Sequence, residues 1–412
     1  MTGAASPRPV SSAVSLALVS AAAIAAQIGF IRALSVDTYH HFTYLVIGTA
    51  LLGFGAGGTV LTLLNRRAPE WWHRGIPLIL LALTLSLGHA YRVSLATRPD
   101  MQYLLYSVSE AAKLWLTTVV LFLPFFFAGL FIGSLLYIFR SRAGLMYGVN
   151  MVASGAGAAA GVALTSAISG TRALELLSLF AVAALVFWFI AHRGPTGGTI
   201  SRRRVVVLLL ALVGGPGTLL LPDAGRVDQY KAMAHAGRLA EEGKAEHLTR
   251  RHGAVAQVDL YEAPSMRYTL FAAPEAPTPP EQQQLFLDGF QAGALLQVEE
   301  SEEAGILRSV PQGWAYRFVE RPRVLLLGEV TGVNVWMALL YGARSVTVVQ
   351  PNGEVTRLLT EDPRPPFERN EVEIVTLTPR TFLERANRPF DLIQVVAAEG
   401  MPAASGGLAS LS

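Results

Sequence analysis

At 412 residues, with 52% hydrophobic and only 15% charged side chains and a mean hydropathy of +0.41, the chain is too apolar for an ordinary soluble protein, where about 25% of residues are charged. It has no cysteine, which excludes disulfides, thiolate metal sites and cysteine nucleophiles. Its 33 basic and 30 acidic side chains leave a net charge of +3, which arginines in cytoplasmic loops explain more simply than a nucleic-acid partner does.

The apolar excess lies in residues 10–221, whereas 222–412 has the composition of soluble protein, so the main boundary falls near Pro222. A crossing of the hydrocarbon core takes about 20 apolar residues. Runs of that kind lie at 10–34, 42–64, 76–92, 114–139, 145–168, 173–192 and 204–221, predicting a polytopic α-helical membrane bundle of about seven helices over residues 1–221. The first run is too long for a signal peptide and is followed almost at once by a second, so it reads as a retained helix. The seventh is the weakest, short and interrupted by Gly214-Gly215-Pro216-Gly217.

Positive charge sets the expected orientation. The N-terminus and the second, fourth and sixth loops hold ten cations: Arg8, Arg66, Arg67, Arg74, Arg140, Arg142, Arg193, Arg202, Arg203 and Arg204. The other side holds five: Arg32, Arg92, Arg98, Lys113 and Arg172. The N-terminus is therefore expected in the cytoplasm of a multi-pass inner-membrane protein, and seven crossings would carry residues 222–412 to the extracytoplasmic side. If the seventh segment only lies against the membrane, those residues stay inside.

Glycine pairs four residues apart (Gly53 and Gly57, Gly129 and Gly133, Gly157 and Gly161) read as close helix packing within the chain. Glu175, near a span end, is the one acid within the spans, which disfavours an ion pump or coupled transporter. Gln27, Asn150 and Ser154 read as interhelical hydrogen bonders. Tyr39-His40-His41 puts its histidines on different sides of a helix, a poor metal site; no metal centre is expected.

Past Pro222, residues 222–252 read as a polar helical connector. AVAQVDLYEA, MRYTLFAA and LFLDGFQAG alternate and turn like short β-strands, the last into an Asp-Gly turn, giving a small β-subdomain over 253–320. From Arg323 the strands RVLLLG, SVTVVQ, VEIVTL and FDLIQVV alternate with the helical stretches GVNVWMALLYG, GEVTRLLTE and PRTFLERA. That order predicts a parallel α/β sheet over 321–412.

These residues, in this order, resemble the spermidine synthases and especially their membrane-embedded bacterial relatives. Leu287-Asp288-Gly289 with Gln291, Arg323–Gly328 and Phe390-Asp391-Leu392-Ile393 stand where that family has its leucine-aspartate-glycine turn, its first core strand and the strand leading to the catalytic acid. YHHFTYLVIGTALLGFGAGG and LPFFFAGLFIG look like spans of the membrane relatives. The resemblance implies a Rossmann-like, methyltransferase-type domain that is incomplete at the C-terminus after four strands. Either the chain is then a fragment of a longer protein, or the open sheet edge is covered by a homo-oligomer or protein partner.

The resemblance also locates a degenerate site. Gly328 and Gly332 keep two glycines of the donor loop, with Glu329, Val330 and Thr331 adding bulk between them. Gln350 stands where a carboxylate holds the donor ribose, and Thr378-Pro379 where an acid contacts the adenine. Val396 replaces the first of two catalytic aspartates, Glu399 stands at the second, and Asp288 and Gln291 fall on the substrate side. Each hydrogen bond to a lost charged group is worth about 1.5–3 kcal/mol. The expectation is thus an integral membrane protein, in contact with the lipid bilayer, whose soluble domain is a non-catalytic binding or assembly module with no cofactor. Two alternatives stand beside it. One is a membrane-bound aminopropyl- or methyl-transferase that uses decarboxylated adenosylmethionine or adenosylmethionine, with Glu399 as base. The other is a transporter with a sensing domain.

Overall fold

In lipid a backbone must satisfy its own polar groups, which a long apolar run achieves by coiling. The computed structural model describes residues 9–38, 41–67, 72–192, 201–267, 272, 275–360 and 365–396. Among them seven helices are long and apolar enough to cross a membrane, the complement of a multi-pass membrane protein. They are α1 (Pro9–Asp37), α2 (His41–Arg67), α3 (Trp72–Ala96), α4 (Val108–Ile138), α5 (Ala143–Ala167), α6 (Gly170–Ala191) and a seventh segment, Arg202–Leu220, that begins with α7 (Arg202–Gly214). The chain divides into two compact units, Met1–Leu34 with His41–Arg226, and Ser35–His40 with Val227–Ser412.

In the first unit the glycine pairs lie where helix backbones touch. A β-carbon on Gly53 or Gly57 of α2 would sit 2.8 Å from the backbone nitrogen of Phe126 or Leu130 on α4. Gly129 faces Phe54 in return, and Gly157 and Gly161 of α5 abut Ala21 and Ala25 of α1. Asn150 accepts a hydrogen bond from Ser20 at 2.8 Å, joining α5 to α1. Of Tyr39-His40-His41, the first two lie outside the described residues.

The seventh segment keeps its length by changing its winding. Its α-helix stops at Gly214, and Pro216–Leu220 continues as a 3-10 turn. Thirteen residues at about 1.5 Å and five at about 2 Å give about 30 Å, the thickness of the hydrocarbon core. The carbonyls at its end are not left bare. Arg92 of α3 donates to the oxygens of Thr218 and Pro222, and Arg172 of α6 to those of Leu219 and Leu221. Glu175, 1% exposed, bridges both arginines. Cations at a helix C-terminus complement its dipole, so the last turn of this segment and the neighbouring ends of α3 and α6 form one polar cluster.

The second unit begins with a short helix, α8 (Ala232–Glu241), followed by β1 (Glu246–His252). Here the expected helical connector is corrected: its last seven residues, Glu246–His252, are a strand. Glu246–His252 pairs antiparallel with β2 (Gln257–Glu262), and His247 and Arg250 reach across to the buried carboxylate of Asp259 at 3.0 and 2.6 Å. The polar stretch that reads as a helical connector thus ends in an edge strand held by a buried acid. β3 (Gln282–Leu287) and β4 (Phe290–Leu296) complete an antiparallel sheet in sequence order. Asp288 (φ 47°) and Gly289 (φ 79°) form the expected tight turn between them, the left-handed pair that a two-residue hairpin requires.

Two 3-10 segments, Ser301–Ser309 and Pro311–Phe318, lead into the second sheet. It contains β5 (Arg323–Leu327), β6 (Ser345–Val349), β7 (Val372–Val375) and β8 (Leu392–Val395), all parallel, in the order β7-β6-β5-β8. Between them run α9 (Val333–Leu340), α10 (Gly353–Thr360) and α11 (Pro379–Arg385). Val324, Leu326, Val346 and Val348 pack with Trp336 and Met337 of α9 on one face. Leu325, Leu327 and Val349 meet Phe382 of α11 on the other. Strands buried on both faces are why β5 reads as an unbroken apolar run and β6 as one interrupted by Thr347 alone after its first residue.

Candidate functional site

The loop after β5 is where the expected donor site falls, and the structure fills it from within. Gly328 (φ 85°) and Gly332 (φ 83°) take left-handed backbone conformations, open to glycine at no steric cost. They turn the peptide N–H groups of the loop toward one point. At that point lies the carboxylate of Glu329, 1% exposed. One oxygen accepts from the backbone nitrogens of Val330, Thr331 and Gly332 at 3.0, 2.8 and 2.8 Å and from the Thr331 hydroxyl at 3.2 Å. The other accepts from the Asn334 backbone at 3.2 Å and its side-chain amide at 2.6 Å. Converging N–H groups at a helix start form an anion site, and here the anion is the protein's own side chain.

Gln350 is drawn into the same closure. Its amide nitrogen donates to the Glu329 carbonyl at 2.6 Å, and its amide oxygen accepts from the Asn352 backbone at 2.8 Å. A carboxylate at 350 could accept from Asn352 but has no hydrogen for the Glu329 carbonyl. Thr378 caps α11, accepting from the backbone of Thr381, and Pro379 takes the first helical position.

From Glu329 a chain of amides runs outward. The Asn334 oxygen accepts from Gln394 at 2.7 Å, and the Gln394 oxygen accepts from the Tyr316 hydroxyl at 3.1 Å. Burial, and then the charge of Glu329, push the Tyr316 phenol well above its ordinary value. That hydroxyl therefore stays a donor at any physiological pH.

Beside this loop lies a cavity of about 80 Å³, bounded by Ala292–Ala294 of β4, the two 3-10 segments, the 329–334 loop, Met337 and Val396. β4 approaches closely because residue 293 is glycine: a β-carbon there would stand 2.9 Å from the Thr331 methyl. Glu329 is the one ionisable group among the described lining residues, and Val396 contributes an apolar wall.

Gly328, Gly332 and Gln350 thus converge on one loop, while Asp288 and Gln291 lie elsewhere. Asp288 accepts from the Gln257 backbone at 2.8 Å and its carbonyl receives the Lys231 ammonium at 2.7 Å. Gln291 donates to Gln284 at 2.6 Å. Neither lines the cavity. Glu399 lies outside the described residues. The sequence alone presents Glu329 as steric bulk and gives no sign of the parts of Asn334, Gln394 and Tyr316. The one available signal was an acid directly after a buried strand and just before a glycine-started helix. Among the described residues no group of three or more His, Asp or Glu side chains could hold a metal ion. No protein-family model matches this chain, and no curated protein matches it in sequence.

Proposed function

We propose that the second unit is a spermidine-synthase-like module of Rossmann-like, methyltransferase type. Its donor loop is closed by its own carboxylate, and it serves the membrane unit as a non-catalytic binding or assembly module. The observation that carries this reading is the Glu329 carboxylate, which uses the N–H groups of the loop that a donor would otherwise approach. A nucleoside donor would have to displace a buried, fully hydrogen-bonded anion, and Gln350 offers no carboxylate for its ribose. Titration calorimetry of the full chain with decarboxylated adenosylmethionine tests the reading: no heat of binding is expected at micromolar concentration. Micromolar binding would make the transferase account the better one.

The same reading puts the module outside the cytoplasm of an inner-membrane protein, away from the pool of adenosylmethionine-type donors. Its support is the asymmetry of ten cations against five, joined by the clamp of Arg92 and Arg172 on the end of the seventh segment. That clamp brings together the outgoing end of α3 and the incoming end of α6, as an odd number of crossings requires. A reporter active only outside the cytoplasm is expected to be active after Ser412 and silent after Arg142. The reverse pattern would return the module to the donor pool.

A further inference from the structure

The two ends of the membrane unit treat their cations differently. Where α3 finishes and α4 and α6 begin, Arg92 and Arg172 share the carboxylate of Glu175, and Lys113 holds Glu110 at 2.7 Å. Where α4 and α6 finish and α5 and α7 begin, Arg140, Arg142, Arg202 and Arg203 are all exposed. Among the described residues no carboxylate pairs with any of these four. None is near in sequence either, since residues 135–151 and 188–214 contain no Asp or Glu.

Helix stability does not account for where these arginines stand. Arg140 and Arg142 share one 3-10 turn, and Arg142 is the residue from which α5 starts. Arg202 and Arg203 open α7, whose first turn has no acid. A cation at the start of a helix opposes its dipole, and neighbouring like charges repel. Anions outside the chain relieve both.

The surroundings identify what carries those anions. Tyr137, one turn before Arg140, and Tyr147, one turn into α5, are exposed, as are Val205 and Val206 just after Arg203. The Arg140 guanidinium lies 5.9 Å from the centroid of the Tyr137 ring. Tyrosine and arginine beside lipid-facing apolar residues are the composition of the bilayer interface. The seventh segment, 19 residues long, has no length to spare over a core of about 30 Å, which keeps Arg202 and Arg203 at headgroup depth. A guanidinium matches a phosphate with two parallel N–H donors. We propose that this end of the membrane unit is a binding rim for anionic phospholipid, whose phosphodiester headgroups pair with Arg140, Arg142, Arg202 and Arg203.

Native mass spectrometry of the full chain, released from detergent and titrated with lipid, tests the rim. The probes are phosphatidylglycerol and phosphatidylcholine with identical acyl chains, and inorganic phosphate as a third arm. Phosphatidylglycerol is expected to bind at least about tenfold tighter than phosphatidylcholine. Replacing Arg140 and Arg142 together by Gln, or Arg202 and Arg203 together by Gln, should weaken phosphatidylglycerol by about fivefold per charge removed. Lys113→Gln, at the opposite end, should leave that affinity unchanged, and inorganic phosphate should not displace the lipid. All four arginines are exposed, so the variants should fold. If one does not, salt decides on the unaltered protein: about 0.5 M ammonium acetate should erase the phosphatidylglycerol preference. Equal binding of the two lipids overturns the proposal, as does a preference that salt leaves intact or an unchanged affinity in folded paired variants. An equal loss in Lys113→Gln would reduce the effect to net charge, and displacement by inorganic phosphate would make the site one for free anions. Either result defeats the rim.

Discussion

The two units solve the same problem, an interior without water, by opposite means. In the membrane unit the interior contacts are made by the absence of side chains: Gly53, Gly57, Gly129 and Gly157 let backbones meet, and the buried acid Glu175 sits near a helix end with two arginines. In the second unit a carboxylate lies at the centre of the α/β region, and backbone N–H groups gather round it in place of a cation. The comparison teaches that burial of polarity is governed by which partners the local backbone can supply. A continuous helix has N–H groups to spare only at its first turn. A left-handed glycine loop leading into a helix presents several at one point.

The sharpest way to break this comparison is on α2. Gly57→Leu forces a side chain into the backbone of α4 at Leu130. It should cost about 3 kcal/mol or more, the upper range for overpacking. Gly55→Leu, two residues away and facing open space, should cost almost nothing. Monodispersity on size exclusion and thermal unfolding in nanodiscs read both. Equal losses from the two variants would mean that close backbone approach is not what the glycine pairs provide.

In the second unit the matching change is Glu329→Gln. The amide offers one acceptor where two carboxylate oxygens served, and it turns its own hydrogens toward donors. A loss of about 2–3 kcal/mol is expected, the cost of leaving buried groups unsatisfied. Unfolding in denaturant measures it, and a loss below about 0.5 kcal/mol would show that the loop does not depend on its internal anion. Gln350→Glu is subtler, since it keeps the acceptor for Asn352 and removes the donor to the Glu329 carbonyl. It should cost about 1–2 kcal/mol. If the variant is as stable as the parent, position 350 tolerates an acid and the loop does not depend on the donor to the Glu329 carbonyl.

These contrasts also explain what could be read from the chain beforehand. The seven membrane segments and the glycine contacts were legible because lipid leaves a long apolar run one choice, and because a missing side chain is itself visible in sequence. Span ends were less so. Glu110 and Lys113 make the fourth segment look shorter, yet they pair at 2.7 Å inside the first turns of α4. β1 was misread because Glu246–His252 lacks alternation; its order comes from Asp259 on another strand. Glu329 was visible as a residue and opaque as a role, since the convergence of N–H groups on it depends on φ values at Gly328 and Gly332 that composition does not encode.

The smallest expected effect contrasts two acids of the second unit, one buried and one exposed. Asp391 accepts two hydrogen bonds from the Arg323 guanidinium and one from its backbone nitrogen, at 2.8–3.1 Å. The side-chain bonds first, and then the backbone bond, hold its carboxyl down at about 2. An unfolded aspartate titrates near about 3.9. Because the folded value is the lower, the pair's contribution is fully present above about pH 4 and fades as the pH falls toward 2. Asp259 differs in that burial, the largest influence on it, works to raise its value. Bonds from His247, Gln257 and Arg250 with the charge of Arg250 outweigh that, and the net direction is downward. Salt distinguishes the two, because screening reaches exposed pairs and spares buried ones. Carboxyl carbon-13 titrations should therefore show the Asp391 midpoint rising in 1 M salt and in Arg323→Gln, with Asp259 unmoved by salt. An Asp391 midpoint near 4 at low salt would mean that the Arg323 fork is not formed in solution. The tie between the start of β5 and the start of β8 would then rest on the strand ladder alone.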